Sequence, residues 1–324
     1  MAETQRAKLQ FGGSLASFME AFLAEKHACG CKYERESLTL LNLDRYLVAQ
    51  GCSGPQLPRE ALDGWTAKRP YERPASQAFR LSVAREFAKY LLRQGLYAYV
   101  AARSRSIPVD FIPRIFSSEE IRRLLIAVDQ LRPDRNSRLR HLVFPELFRL
   151  YYACGLRCGE PLRLTVADVD LTEGVLTIRG KLRKRLVPLC PSLRDRLLDY
   201  GAKLGKREAK EIFFPAPHGG AYQPPAIYGA FRQLLRAAGI PHGGRGQGPR
   251  LHDLRHTFAV HRLIRWYRQG ADLDAQLPVL ATYMGHRSGR GTQRYLRLTA
   301  DLFPDVAARL EASFGRCIPE GGQP

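Results

Sequence analysis

The sequence predicts a mainly α-helical protein of two domains, the second carrying a small antiparallel β-sheet. Three features predict it. Apolar residues recur at three- and four-residue spacing from Ser14 to about Gly95. An aperiodic stretch holding Pro108 and Pro113 then interrupts the chain. Beyond it, helical periodicity returns but is broken by two short β-rich runs. A chain of 324 residues, 45% of them hydrophobic, has the length and apolar content for two cores.

In the first domain, residues 12–103, one stripe runs through Leu15, Phe18, Phe22 and Leu23, and a second through Leu38, Leu41, Leu43, Tyr46 and Leu47. A third helix is expected from Pro58 through Trp65. A fourth runs from about Ser76 to Gln94, with Phe79, Val83, Phe87 and Leu91 on one face. Residues 104–114 read as an extended linker. The second domain, 115–324, opens with a capping box, Ser117 to Glu120, ahead of the stripe Ile121, Leu124, Leu125 and Val128. A helix around Phe144 to Tyr152 follows. Residues 174–178 and 185–189 flank a very basic turn and read as a hairpin or meander. Helical patterns then occupy 192–204, 225–238, 253–269 and 303–314.

The 51 Lys and Arg residues against 31 Asp and Glu give a net charge of +20. Residues 1–110 hold 16 basic and 11 acidic residues, leaving 35 and 20 for the remainder, so the second domain should present the main face to a polyanion. The seven cysteines (Cys29, Cys31, Cys52, Cys154, Cys158, Cys190, Cys317) are odd in number and irregularly spaced, which fits a reducing cytoplasm better than a disulfide framework. His27, Cys29 and Cys31 match no common zinc spacing, so no metal and no cofactor is expected. The first residues lack a signal-type apolar core, and no run of about 18 apolar residues occurs. A cytoplasmic, nucleoid-associated protein with no membrane partner is the expectation.

Four blocks of the second domain supply what phosphoryl transfer without a metal requires, namely cations, proton-transfer groups and a nucleophile. They are Gly155-Leu156-Arg157 with Glu160, then Gly180 to Arg185, then His252 to Thr257, and finally Gly285-His286 followed nine positions later by Tyr295. In this order and spacing they resemble the tyrosine recombinase (phage integrase) family over most of residues 115–300. His252-Asp253-Leu254-Arg255-His256 is similar to that family's His-x-x-Arg box, and Thr292 to Tyr295 to its nucleophile segment. The longer stretch from His252 to His286, where Trp266 to Gly270 and Ala271 to Pro278 add length, is similar to recombinases of transposable elements.

The resemblance implies an enzyme that cuts and rejoins double-stranded DNA through a 3′-phosphotyrosine on Tyr295, acting as a homo-tetramer on DNA and possibly with related recombinases, in integration or transposition of a mobile element. Arg157 and Arg255 would hold the phosphate, because guanidinium forks are planar, permanently charged and bidentate. Lys181 on the β-turn would protonate the leaving 5′ oxygen, with Lys184 as its rival because the turn is one residue shorter than the family's. His252 would accept or shuttle the tyrosine proton, with His256 beside it as a second histidine, and His286 would hydrogen-bond the phosphate. Glu160 reads as structural. Arg245 and Arg250, in a Gly-rich loop, read equally as phosphate contacts or as parts of a connector. The first domain resembles the family's core-binding domain, and the helix at 303–314 packs on its own domain or on a neighbouring protomer. Two alternatives stand beside this reading: relaxation of DNA by a type IB topoisomerase-like enzyme, and a catalytically silent DNA-binding accessory protein.

Overall fold

Four helices account for most of the first 102 residues in the computed structural model, which describes residues 10–102, 112–135, 137–180, 184–244, 247–286, 290–299 and 308. The chain divides into two units, Met1–Phe111 and Ile112–Pro324. The first holds α1 (Ala16–Ala28), α2 (Glu34–Ala49), α3 (Arg59–Thr66) and α4 (Pro74–Arg93). Their apolar stripes meet in one core that includes Met19, Phe22, Leu40, Leu43, Leu62, Trp65, Phe87 and Leu91. Phe22 packs edge-on against Phe87 with ring centroids 5.5 Å apart, a favoured quadrupole arrangement. The connection from α3 to α4 is pinned by buried Arg80, whose guanidinium donates to the carbonyls of Trp65 and Ala67 and pairs with Glu72 at 2.6 Å.

In the second unit, α5 (Ser118–Asp129) starts at the capping box: the Ser117 hydroxyl accepts from the Glu120 N–H at 3.1 Å and the Glu120 carboxylate accepts from the Ser117 N–H at 3.0 Å. After α6 (Arg140–Ala153) comes a three-stranded antiparallel sheet of β1 (Val169–Asp170), β2 (Val175–Arg179) and β3 (Lys184–Pro188), in that order across the sheet. Ile178 stands opposite Arg185 and Leu176 opposite Val187, so these four side chains share the inward face of the sheet, with Leu176, Ile178 and Val187 in the core. Then follow α7 (Pro191–Leu204), α8 (Pro224–Ala237), α9 (Asp253–Arg268), α10 (Leu273–Met284) and the short α11 (Arg290–Gln293), which runs into a 3-10 turn, Arg294–Leu298.

The expected hairpin or meander is a three-stranded meander, with β1 as a strand the sequence reading had not located, and one helix departs from that reading. The stretch read as added length from Ala271 to Pro278 contains the first half of α10, which the Asp272 side chain caps by accepting from the N–H groups of Asp274 and Ala275. Pro278 sits inside this helix, where proline is locally unfavourable; the apolar face of Leu280 and Met284, buried against Phe258, Val260 and Leu263 of α9, holds the helix through the proline. Residues 104–111 of the expected linker lie outside the described residues, as do Lys181, Arg245 and Cys317. So does the expected helix at 303–314, apart from Ala308, which is helical. No helix among the described residues is long and apolar enough to cross a membrane.

Candidate active site

The end of α6, the start of α9, the end of α10 and the 3-10 turn converge on one cluster. Gly155 follows α6 with φ +57°, and a Cβ there would stand 2.4 Å from the Phe258 ring. Only glycine lets the chain turn in the left-handed region and approach α9 this closely. The turn brings Arg157 round so that its Nη2 donates to the Gly285 carbonyl at 2.5 Å, while Nη1 donates to Glu160 at 2.9 Å. The pairing of Arg157 with Glu160 is therefore real, and it leaves the Arg157 side chain 41% exposed.

Arg255, on the first turn of α9, is only 2% exposed. Its Nη1 donates to the Gly155 carbonyl at 2.6 Å and its Nη2 to the Met284 carbonyl at 2.6 Å, so it ties the ends of α6 and α10 together. Burial, and then the nearby Arg157 charge, pull it down to about 10, which still leaves a permanent cation at neutral pH. Gly285, in the left-handed region at φ +65°, ends α10 and turns its carbonyl toward Arg157.

Glu160 is the counter-charge beneath both. It accepts from the Arg157 N–H and Nη1 and from Arg185 Nη1 and Nη2, all within 2.9 Å, and is 6% exposed. Burial is the largest influence and pushes its carboxyl up, but the hydrogen bonds and charge of Arg185 and Arg157 together outweigh it and hold Glu160 at about 2. Arg185 on β3 also donates to the Tyr283 carbonyl at 2.9 Å, which joins the sheet to the end of α10. Arg185 escaped the sequence reading because it sits in a run of basic residues with nothing to single it out.

Three histidines and Tyr295 complete the cluster. His252 precedes α9, with its Nδ1 3.8 Å from the Cys158 Sγ. His286 bonds through Nδ1 to the Thr292 hydroxyl at 2.7 Å, and its ring stacks on that of Tyr295 at 6.1 Å. Burial, then the charges of Arg255, Arg250 and Arg157, push His252 down to about 4. Burial, then Arg255, Arg157 and Arg185, push His286 down to about 4 as well. Both are thus neutral at pH 7. Tyr295 is 2% exposed, and its hydroxyl lies 3.0 Å from Nδ1 of His256, which stands one turn along α9 from His252. The sequence reading assigned the tyrosine proton to His252 and left His256 in its shadow; the helical spacing of four within the His-x-x-Arg-His run was the signal that both face the same way.

Of the six residues singled out from sequence, five meet here: Arg157, His252, Arg255, His286 and Tyr295. The sixth, Lys181, lies outside the described residues, and Lys184 begins β3. Arg250 binds Asp253 through its N–H at 2.8 Å and its Nη2 at 3.4 Å, which places it at the entry to α9. Among the described residues no group of three or more His, Cys, Asp or Glu side chains forms a metal-holding cluster.

The model of the phage integrase family matches residues 114–301. Two relatives in Sinorhizobium fredii, provisionally named integrase/recombinase y4rB and y4rE, are 32% and 34% identical over 90% and 92% of this chain and 96% of each of theirs. Tyrosine recombinase XerD of Pseudomonas aeruginosa is 29% identical over 90% of this chain and 95% of its own. Among solved structures, the XerH site-specific recombinase bound to its difH substrate aligns with a TM-score of 0.62 at 17% identity, over 85% of this chain and 78% of that one. The Tn1549 transposon integrase in complex with a circular intermediate DNA aligns with a TM-score of 0.61 at 14% identity, over 86% and 94%. These two share the fold. The chain belongs to the phage integrase family of tyrosine recombinases, enzymes that cleave and rejoin DNA strands.

Proposed function

We propose that this enzyme is a site-specific recombinase that moves a mobile element, by integration or transposition, through a 3′-phosphotyrosine on Tyr295. The observation that carries the proposal is the gathering of two arginines, three histidines and one tyrosine around the carbonyl ends of α6 and α10. A scissile phosphate seated there would meet Arg157 and Arg255, whose charge suits the negative charge that builds on the non-bridging oxygens. His252 and His286, held neutral, would donate N–H to the same oxygens without demanding a proton. Glu160 and Arg185 position Arg157. The leaving 5′ oxygen needs a proton, and Lys181 supplies it, with Lys184 as the alternative on the same turn. The phosphotyrosine preserves the energy of the broken bond, so a second strand's 5′ hydroxyl can reverse the step.

DNA is the substrate, and the charge of +20 supports broad phosphate contact. The first unit is proposed to be the DNA-clamping domain, and the working assembly to be a tetramer on DNA, nucleoid-associated. The relatedness to integrase/recombinases, together with a fold shared with a transposon integrase, supports the mobile-element role. The test is a nicked suicide duplex carrying the ends of the element that encodes the protein. Wild type should accumulate a covalent adduct, and Tyr295→Phe should give none; relaxation of plasmids lacking paired sites would instead favour a topoisomerase.

A further inference from the structure

We infer that His256 is the base that takes the proton of Tyr295, an inference that rests on Tyr295 being the nucleophile. At neutral pH a tyrosine, with an ordinary pKa of about 10, is a protonated phenol and a poor nucleophile, so its attack is helped by a group that removes the proton as the bond to phosphorus forms. His256 Nδ1 lies within hydrogen-bond distance of the hydroxyl, at 3.0 Å. For His256 to take the proton the hydroxyl donates and Nδ1 accepts, which requires the tautomer with the ring proton on Nε2.

The two other histidines are committed elsewhere. His252 directs Nδ1 to the Cys158 Sγ and sets its ring edge-to-face against His256 at 4.8 Å. His286 directs Nδ1 to Thr292 and lays its face over the phenol ring. Both sit among Arg157 and Arg255, so a proton placed on either would form an imidazolium beside two fixed cations. His256 packs on His252 one turn back along α9 and on Tyr295 across from it, with ring centroids 4.8 and 5.5 Å away. The transfer balances: the Tyr295 oxygen forms the bond to phosphorus while its proton passes to His256 Nδ1. The bond from phosphorus to the 5′ oxygen breaks, and the lysine of the β-turn protonates that oxygen. On rejoining, the imidazolium returns its proton to the departing phenolate.

Single-turnover adduct formation by the full chain on the nicked suicide duplex, followed from pH 6 to 10, tests this. His256→Gln keeps a hydrogen-bonding side chain but cannot accept the proton. It should slow cleavage by about 10²-fold at pH 7, the range that proton transfer commonly contributes, and the gap should narrow as rising pH makes the phenolate available without a base. Binding of uncut DNA by His256→Gln at wild-type strength would show that the fold is intact. A His256→Gln enzyme within about threefold of wild type at pH 7, or one equally slowed at every pH, overturns the inference. So does His252→Gln showing the pH-dependent loss in its place. An adduct that persists in Tyr295→Phe would instead remove the nucleophile itself, a separate failure read in the same gel.

Discussion

Removing the charge of Glu160 should loosen Arg157 and Arg185 more than any change on the protein's exterior. The carboxylate is nearly buried, accepts four hydrogen bonds from Arg157 and Arg185, and sits at about 2 against its ordinary 4.5. Each unit of displacement corresponds to about 1.4 kcal/mol, so the ionised form is favoured in the folded state by about 3 kcal/mol. Glu160→Gln forfeits that and leaves two guanidinium groups facing a neutral amide, a change of the kind that costs about 3–5 kcal/mol in a buried pair. The folded pKa is depressed, so the contribution is complete above about pH 4.5 and is lost as pH falls through about 2. Urea denaturation of wild type and Glu160→Gln should therefore show a gap of about 3 kcal/mol that is constant from pH 7.5 to 5 and begins to close below about 4.5. Adduct formation should fall with it, because Arg157 loses the partner that aims it. A gap under about 1 kcal/mol at pH 7, or one that does not change between pH 7 and 3.5, would refute the electrostatic account.

Other outcomes follow from the same geometry. Arg255→Lys cannot bridge the Gly155 and Met284 carbonyls with one ammonium group; cleavage should fall by about 10²-fold or more in the suicide assay, while DNA affinity by gel shift, spread over many phosphate contacts, changes little. Gly155→Ala places a Cβ against Phe258 in a left-handed turn and should cost about 2–4 kcal/mol in denaturant melts, partly recovered by adding Phe258→Leu. Ser117→Ala removes one half of the capping box and should cost about 1 kcal/mol, read as a lower Tm without loss of cleavage per folded molecule. His252 is depressed below its ordinary 6.5, so it supports the fold above that value and withdraws support as pH falls toward about 4; His252→Gln should lessen the acid sensitivity of stability between pH 6.5 and 4.

Much of this could be read from residue order. Helix periodicity located α1 to α9 within a few residues because each buries one apolar stripe, and the capping box at Ser117 fixed the start of α5. The helix α10 escaped because Pro278 is a local argument against it, while what stabilises it, the packing of Leu280 and Met284 on α9, is not local. At the site, Arg157, His252, Arg255, His286 and Tyr295 were legible from the resemblance of their blocks, in order, to the family's motifs. Two partners were not. Arg185 acts through a pairing with Glu160, 25 positions away, that no spacing reveals, and the choice between His252 and His256 depends on which ring reaches a tyrosine 39 positions away.

The most direct test of the central claim is to digest the trapped protein–DNA adduct with protease and nuclease and locate the phosphorylated residue by mass spectrometry. The account predicts a single modified tyrosine, Tyr295, still joined to the 3′ phosphate of the cleaved strand. A phosphate on any other residue, or an adduct through a 5′ phosphate, would contradict it.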